Sequence, residues 1–164
     1  MRIYTIIPDA LYQSPRFSHV TNKVDWLEQL GVTVVVNLWK PDPEMQAQTA
    51  INYIHLPIPD GKTLDPDPLL SLADELAAGI PLGERTLVHC YGGKNRSGLM
   101  SALIVRAHYR ISGGLALRAV REGRPRAVAN ETFADYLEKL PPPDEGSSIL
   151  TSSPKSTKEE DRVR

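Results

Sequence analysis

The chain has 164 residues, of which 41% are hydrophobic, and a formal net charge of −1. This length favours a single domain with its own core, and the small net charge gives no global field that would attract nucleic acid. No run of about eighteen apolar residues is present, so no membrane span is predicted. The chain contains one cysteine, which excludes an intrachain disulfide and fits a reducing compartment, so we expect a cytoplasmic protein.

Short apolar segments alternate with amphipathic ones along the chain. The segment 32–38 is apolar and rich in valine, as a buried parallel strand would be. Strands are predicted at 3–7, 10–13, 32–38, 52–56 and 86–89, and helices at 24–30, 44–50, 66–78, 99–107, 112–122 and 131–140. This alternation predicts an α/β fold with a central, mostly parallel sheet flanked by helices.

Composition divides the chain near residue 140. Three consecutive prolines follow the last predicted helix, and proline ends a helix. The remainder contains few apolar residues. We therefore expect a folded domain over 1–140 and a disordered tail over 141–164.

The segment between the strand 86–89 and the helix 99–107 reads His-Cys-Tyr-Gly-Gly-Lys-Asn-Arg-Ser-Gly. A helix N-terminus presents free N–H groups and a partial positive charge, so a loop around it forms an anion cradle. The Arg96 guanidinium could grip two phosphate oxygens. The same positive field favours the thiolate of Cys90, which is the nucleophilic form of cysteine. The segment therefore predicts a phosphate site beside a reactive sulfur.

This Cys-x5-Arg-Ser motif, preceded by His and followed by Gly, resembles the signature of the cysteine-based protein tyrosine phosphatases, most closely their small dual-specificity branch. The resemblance implies that Cys90 attacks phosphorus, Arg96 binds the phosphoryl oxygens and Ser97 assists the second step. It implies that His89 orders the loop through hydrogen bonds and that no metal or cofactor takes part. The other loop residues would line the phosphate site: Tyr91, Gly92, Gly93, Lys94 and Asn95.

The leaving oxygen needs a proton from a positioned acid. The family carries an aspartate on a proline-rich loop upstream of its cysteine, and Asp60 occupies such a loop here, in Pro-Ile-Pro-Asp. Asp65 and Asp67 compete for this role. However, Asp65 precedes a proline, which is typical of a helix N-cap, and Asp67 would lie in the first turn of that helix. Asp60 is therefore the predicted general acid.

The sequence does not decide between several classes of substrate. The predicted activity is a dual-specificity protein phosphatase acting on phosphotyrosine and phosphoserine or phosphothreonine. The alternative is a phosphatase of phosphoinositides, inositol phosphates or RNA 5′-triphosphates, because Lys94, Lys62 and Arg124 could contact a second phosphate. The partner would be a phosphorylated protein or a polyphosphorylated small molecule. A phosphate-binding pseudophosphatase is disfavoured, since Cys90 and Asp60 are both present.

Overall fold

The computed structural model describes residues 2–61 and 65–144, so Lys62 and most of the predicted tail lie outside the described residues. A five-stranded sheet forms the centre, in the order β1-β2-β5-β3-β4. Only β1 runs antiparallel to its neighbour β2, and the other pairs are parallel. The strands are β1 Tyr4–Ile7, β2 Leu11–Ser14, β3 Val34–Asn37, β4 Asn52–His55 and β5 Thr86–His89.

Helices cover both faces of this sheet. Side chains alternate across a strand, so Val34 and Val36 enter the larger core with α3, α4, α5 and α6. Val35 packs on the other face against residues of α1 and α2. This burial on both faces explains why β3 is apolar throughout. The helices are α1 Lys23–Gln29, α2 Pro43–Ala47, α3 Asp67–Gly79, α4 Arg96–Tyr109, α5 Gly113–Gly123 and α6 Glu131–Lys139, with a 3₁₀ turn at Ile80–Leu82.

The predicted α/β class and mostly parallel sheet are confirmed. The main difference lies at α4, which begins at Arg96 rather than at the predicted residue 99. Its first turn contains Ser97 and Gly98, which give no hydrophobic signal although both are buried. In the part of the chain that is described, no helix combines the length and apolarity needed to cross a membrane.

The carboxyl ends of the parallel strands lie side by side. His89 at the end of β5 is in register with Ser14 of β2 and Asn37 of β3, and Asn37 is in register with His55 of β4. The loops that follow these strands therefore meet at one edge of the sheet, which is where open α/β sheets bind ligands.

Candidate active site

The loop after β5 places the only cysteine at the start of α4. Cys90 is 2% exposed, and its Sγ lies 3.4 Å from the Oγ of Ser97. Ser97 belongs to the first turn of α4 and is fully buried. The sulfur therefore lies beside the helix end that carries free N–H groups and partial positive charge. The serine hydroxyl is close enough to donate a hydrogen bond to a thiolate.

Gly93 fixes the path of the loop. Its φ of +59° lies in the left-handed region, which glycine adopts without strain. A Cβ at this position would overlap the backbone of Ser14 and Pro15 at the end of β2. The Gly93 carbonyl accepts hydrogen bonds from Gln13 Nε2 at 3.2 Å and from Arg124 Nε at 3.1 Å. The loop is thus held against β2 by its backbone, whereas Gly92 beside it is exposed.

The other side of the loop is held by the connection between α5 and α6. The Lys94 carbonyl accepts a hydrogen bond from the Val128 amide at 3.1 Å. The Asn95 side-chain oxygen accepts hydrogen bonds from the amides of Ala129 at 3.0 Å and Asn130 at 3.2 Å. Asn95 was predicted to line the phosphate site, and the structure uses its side-chain oxygen to anchor the loop.

Arg96 and Asp60 come together across the site. The Arg96 Nη2 lies 3.7 Å from the Asp60 Oδ2, and the two side chains are 12% and 45% exposed. The Arg96 Nε is buried and has no hydrogen-bond partner within the described residues. Asp65 instead accepts a hydrogen bond from the Asp67 amide at 3.2 Å, at the start of α3. Of the carboxylates weighed for the acid, Asp60 is the one that lies at the loop.

Of the three basic residues predicted to contact a second phosphate, Lys62 lies outside the described residues, and Arg124 and Lys94 occupy different surroundings. Arg124 donates its Nε to the Gly93 carbonyl, and its guanidinium lies 4.1 Å from the centre of the Tyr4 ring. The structure therefore brings Arg124 to the loop as a support of its backbone. Lys94 is half-buried, and no acidic side chain in the described part of the chain lies within ion-pair distance of it.

The surroundings of His89 differ from the hydrogen-bonded role that the family resemblance implies. The side chain is 4% exposed and its ring packs on Phe17, with 4.6 Å between ring centres. Neither ring nitrogen has a hydrogen-bond partner among residues 2–61 and 65–144. Burial lowers the pKa of His89 to about 4, against the opposing attraction of the Asp42 carboxylate. The imidazole is therefore neutral at physiological pH, and it supports the loop by packing.

Two residues near the loop were missed from the sequence. Gln13 lies in β2, is fully buried and donates to the loop carbonyl of Gly93. A fully buried glutamine needs a hydrogen-bond partner, but the polar sequence Leu-Tyr-Gln-Ser of this strand does not show that Gln13 is buried. Trp39 follows β3 and lies 5.1 Å from the ring of Tyr91, which is 51% exposed. No pattern in the sequence connects these two rings.

Residues 3–140 match the family model described as PTP-SAK, Swiss Army Knife protein, DSP-PTPase phosphatase domain. The chain belongs to this phosphatase family. Human DUSP28 has a similar solved structure, with a TM-score of 0.68 at 23% identity, covering 84% of this chain and 90% of that one. TpbA of P. aeruginosa superposes with a TM-score of 0.59 at 25% identity, covering 82% of this chain and 81% of that one.

A curated relative of this phosphatase domain is mouse cyclin-dependent kinase inhibitor 3, which is 36% identical over 93 residues. The match covers 57% of this chain and 44% of the relative, so the chain spans under half the length of that protein. Within the described residues, no three His, Cys, Asp or Glu side chains are grouped closely enough to hold a metal ion.

Proposed function

We propose that this domain hydrolyses phosphomonoesters through a phosphocysteine intermediate on Cys90. The observation that carries the proposal is the Cys90 sulfur at the N-terminus of α4, 3.4 Å from Ser97 Oγ. Arg96 Nη2 and Asp60 Oδ2, which are 3.7 Å apart, lie in the same site. A nucleophile, an anion-binding fork and an acid are the three groups that a phosphoryl transfer of this kind requires.

In the first step, the Cys90 thiolate attacks phosphorus, an S–P bond forms and the bond to the leaving oxygen breaks. The Arg96 guanidinium and the N–H groups of the first turn of α4 hold the phosphoryl oxygens. The Nε of Arg96, which has no hydrogen-bond partner among residues 2–61 and 65–144, would donate to one of these oxygens. Asp60, in its protonated form, gives its proton to the leaving oxygen, so an alcohol or phenol departs.

In the second step, water attacks the phosphocysteine. The Asp60 carboxylate takes a proton from that water, the new P–O bond forms and the S–P bond breaks. The Ser97 hydroxyl donates a hydrogen bond to the departing sulfur, which stabilises the thiolate. Inorganic phosphate leaves, and Asp60 is protonated again as the first step requires.

For the substrate, we propose phosphotyrosine and phosphoserine or phosphothreonine in proteins, as the dual-specificity class of the domain supports. Polyphosphorylated small molecules are the second candidate, and the half-buried Lys94 inside the loop is the observation in their favour. Replacing Lys94 with Ala distinguishes the two. A loss confined to polyphosphorylated substrates would favour the second candidate, whereas equal losses on these substrates and on a small aryl phosphate would argue against it.

Trapping of the intermediate tests the mechanism. The native protein is mixed with an aryl phosphate, quenched in acid within one turnover and digested for mass spectrometry. We expect one added phosphoryl group on the peptide that contains Cys90, and more of it in Ser97→Ala. Turnover without any phosphorylated Cys90 peptide in either protein would contradict the covalent route.

A further inference from the structure

Arg16 lies beside the loop of residues 90–95, which we call the phosphate loop, but outside it. Its backbone amide donates to the carbonyl of Tyr91 at 3.1 Å, which ties Arg16 to the residue that follows the nucleophile. The guanidinium carbon is 4.6 Å from the centre of the Tyr91 ring and 5.5 Å from that of Trp39. Stacking on aromatic faces suits a guanidinium. The cation is therefore held on an aromatic platform, which we define as Trp39 and Tyr91.

Charge around the platform is positive. Arg16 is exposed and takes part in none of the ion pairs found among the described residues. Lys40 is also exposed, with its Nζ 5.4 Å from the Trp39 ring centre. The two acidic residues nearby share a single cation, because Lys23 pairs with Asp42 at 2.8 Å and with Glu44 at 2.9 Å. With Arg16 and Lys40 included, these five residues of the rim carry one net positive charge.

The platform also borders open space. A cavity of about 350 Å³ lies next to the loop, with Arg16, Trp39 and Lys40 among its lining residues. The buried ring of His89 lines it as well, and both nitrogens of that ring are unpartnered in the described part of the chain. Most of the residues that line this cavity are polar or charged, so it suits a polar or charged side chain of a substrate.

We propose that Arg16, with Lys40, binds an acidic residue that neighbours the phosphorylated residue in a peptide substrate. This inference rests on the proposed phosphatase function and names its preferred substrate. Arg16 is stacked on the Tyr91 ring, outside the phosphate loop itself. Neighbouring residues of an extended peptide are spaced at about 3.3–3.6 Å along the chain, so a flanking carboxylate extends beyond the loop. The aromatic platform offers a peptide apolar contact that a charged, compact polyphosphate would not use.

Two phosphotyrosine peptides that differ only in Glu or Gln beside the phosphotyrosine test this subsite. We expect native protein to favour the Glu peptide in kcat/KM by about five-fold at low salt, as for an exposed ion pair, with the preference shrinking as salt is added. Arg16→Ala should abolish the preference, mainly through KM. Arg118→Ala serves as the matched control, because Arg118 is an exposed arginine on α5.

Hydrolysis of a small aryl phosphate, measured on the same proteins, distinguishes failure of the Arg16 subsite from failure of the proposed phosphatase function. If aryl phosphate turnover is intact and native protein does not prefer the Glu peptide, the inference is overturned while the phosphatase function stands. The same holds if Arg16→Ala weakens both peptides equally, or weakens an inositol polyphosphate more than the Glu peptide. If native protein shows no aryl phosphate turnover, the proposed function fails and the inference fails with it.

Discussion

Arg96 Nη2 and Asp60 Oδ2 lie 3.7 Å apart, although Arg96 begins the helix that follows β5 and Asp60 lies in the loop that follows β4. The parallel strands β4 and β5 end at the same edge, and this brings the two loops together. In the proposed mechanism Arg96 holds the phosphoryl group, so an acid at the position of Asp60 can transfer a proton to the leaving oxygen.

Replacing Asp60 with Asn should lower kcat by roughly 10²- to 10⁴-fold, the usual contribution of a general acid. The loss should be largest for alkyl phosphates, which have poor leaving groups, and smallest for aryl phosphates with acidic phenols. Steady-state rates on a series of leaving groups measure this. Asp65→Asn is the matched control, since Asp65 accepts a hydrogen bond at the start of α3. A larger loss in the control would move the acid from Asp60 to Asp65.

Replacing Gly93 with Ala should distort the phosphate loop. The residue has a φ of +59°, and a Cβ would overlap the backbone of Ser14 and Pro15. The left-handed conformation costs alanine about 1–2 kcal/mol, and displacement of the loop should lower kcat/KM by roughly 10²-fold. Gly92→Ala is the control, because a Cβ there meets no heavy atom within 4 Å. Equal activity of the two variants would contradict this account of the loop.

Replacing Ser97 with Ala should slow the second step more than the first. The hydroxyl lies 3.4 Å from the Cys90 sulfur, and a hydrogen bond to a charged group contributes about 1.5–3 kcal/mol. We therefore expect a pre-steady-state burst of phenol followed by slow turnover. The control is Ser101→Ala, which removes a buried hydroxyl from the same helix, α4. Linear product formation in Ser97→Ala would show that the serine does not assist breakdown of the intermediate.

His89 should make the protein less stable in mild acid. Burial lowers its pKa from 6.5 to about 4, so the unfolded chain takes up a proton before the folded one does. The stability contributed by the neutral ring is complete above about pH 6.5 and is lost progressively as the pH falls toward about 4. Between about pH 7.5 and about pH 5, this single group should cost about 2 kcal/mol of unfolding free energy.

Urea unfolding at those two pH values measures the effect of His89. The native protein should lose more stability on acidification than His89→Gln, which has no ionisable ring. His19→Gln is the control, since His19 is exposed and should behave as native protein does. An identical loss in native protein and His89→Gln would show that the buried ring is not the group that titrates.

The centre of the site could be predicted from the sequence because its parts are local. Cys90, Arg96 and Ser97 lie within one strand–loop–helix unit, and Asp60 follows a strand that must end at the same sheet edge. The supports of the loop could not be predicted. Asn95 reaches the amides of residues 129 and 130, and Gln13 reaches Gly93. Such contacts depend on tertiary packing and leave no periodic signal in the chain.

The N-terminus of helix α4 is a second feature that the sequence pattern does not predict. Its hydrophobic residues begin at Leu99, which is where the sequence predicts the helix to start, but the helix begins at Arg96. The first turn is determined by the phosphate loop that it closes, and a hydrophobicity pattern cannot report that. The earlier start matters chemically, because it places Ser97 beside the Cys90 sulfur.

The thiolate mechanism is tested by hydrolysis of a small aryl phosphate in the presence of a chelator, by native protein and by Cys90→Ser. We expect chelator-resistant turnover by native protein and none above background in Cys90→Ser, with both proteins folded by circular dichroism. Turnover of native magnitude in Cys90→Ser would contradict the thiolate mechanism and, with it, the function proposed for this site.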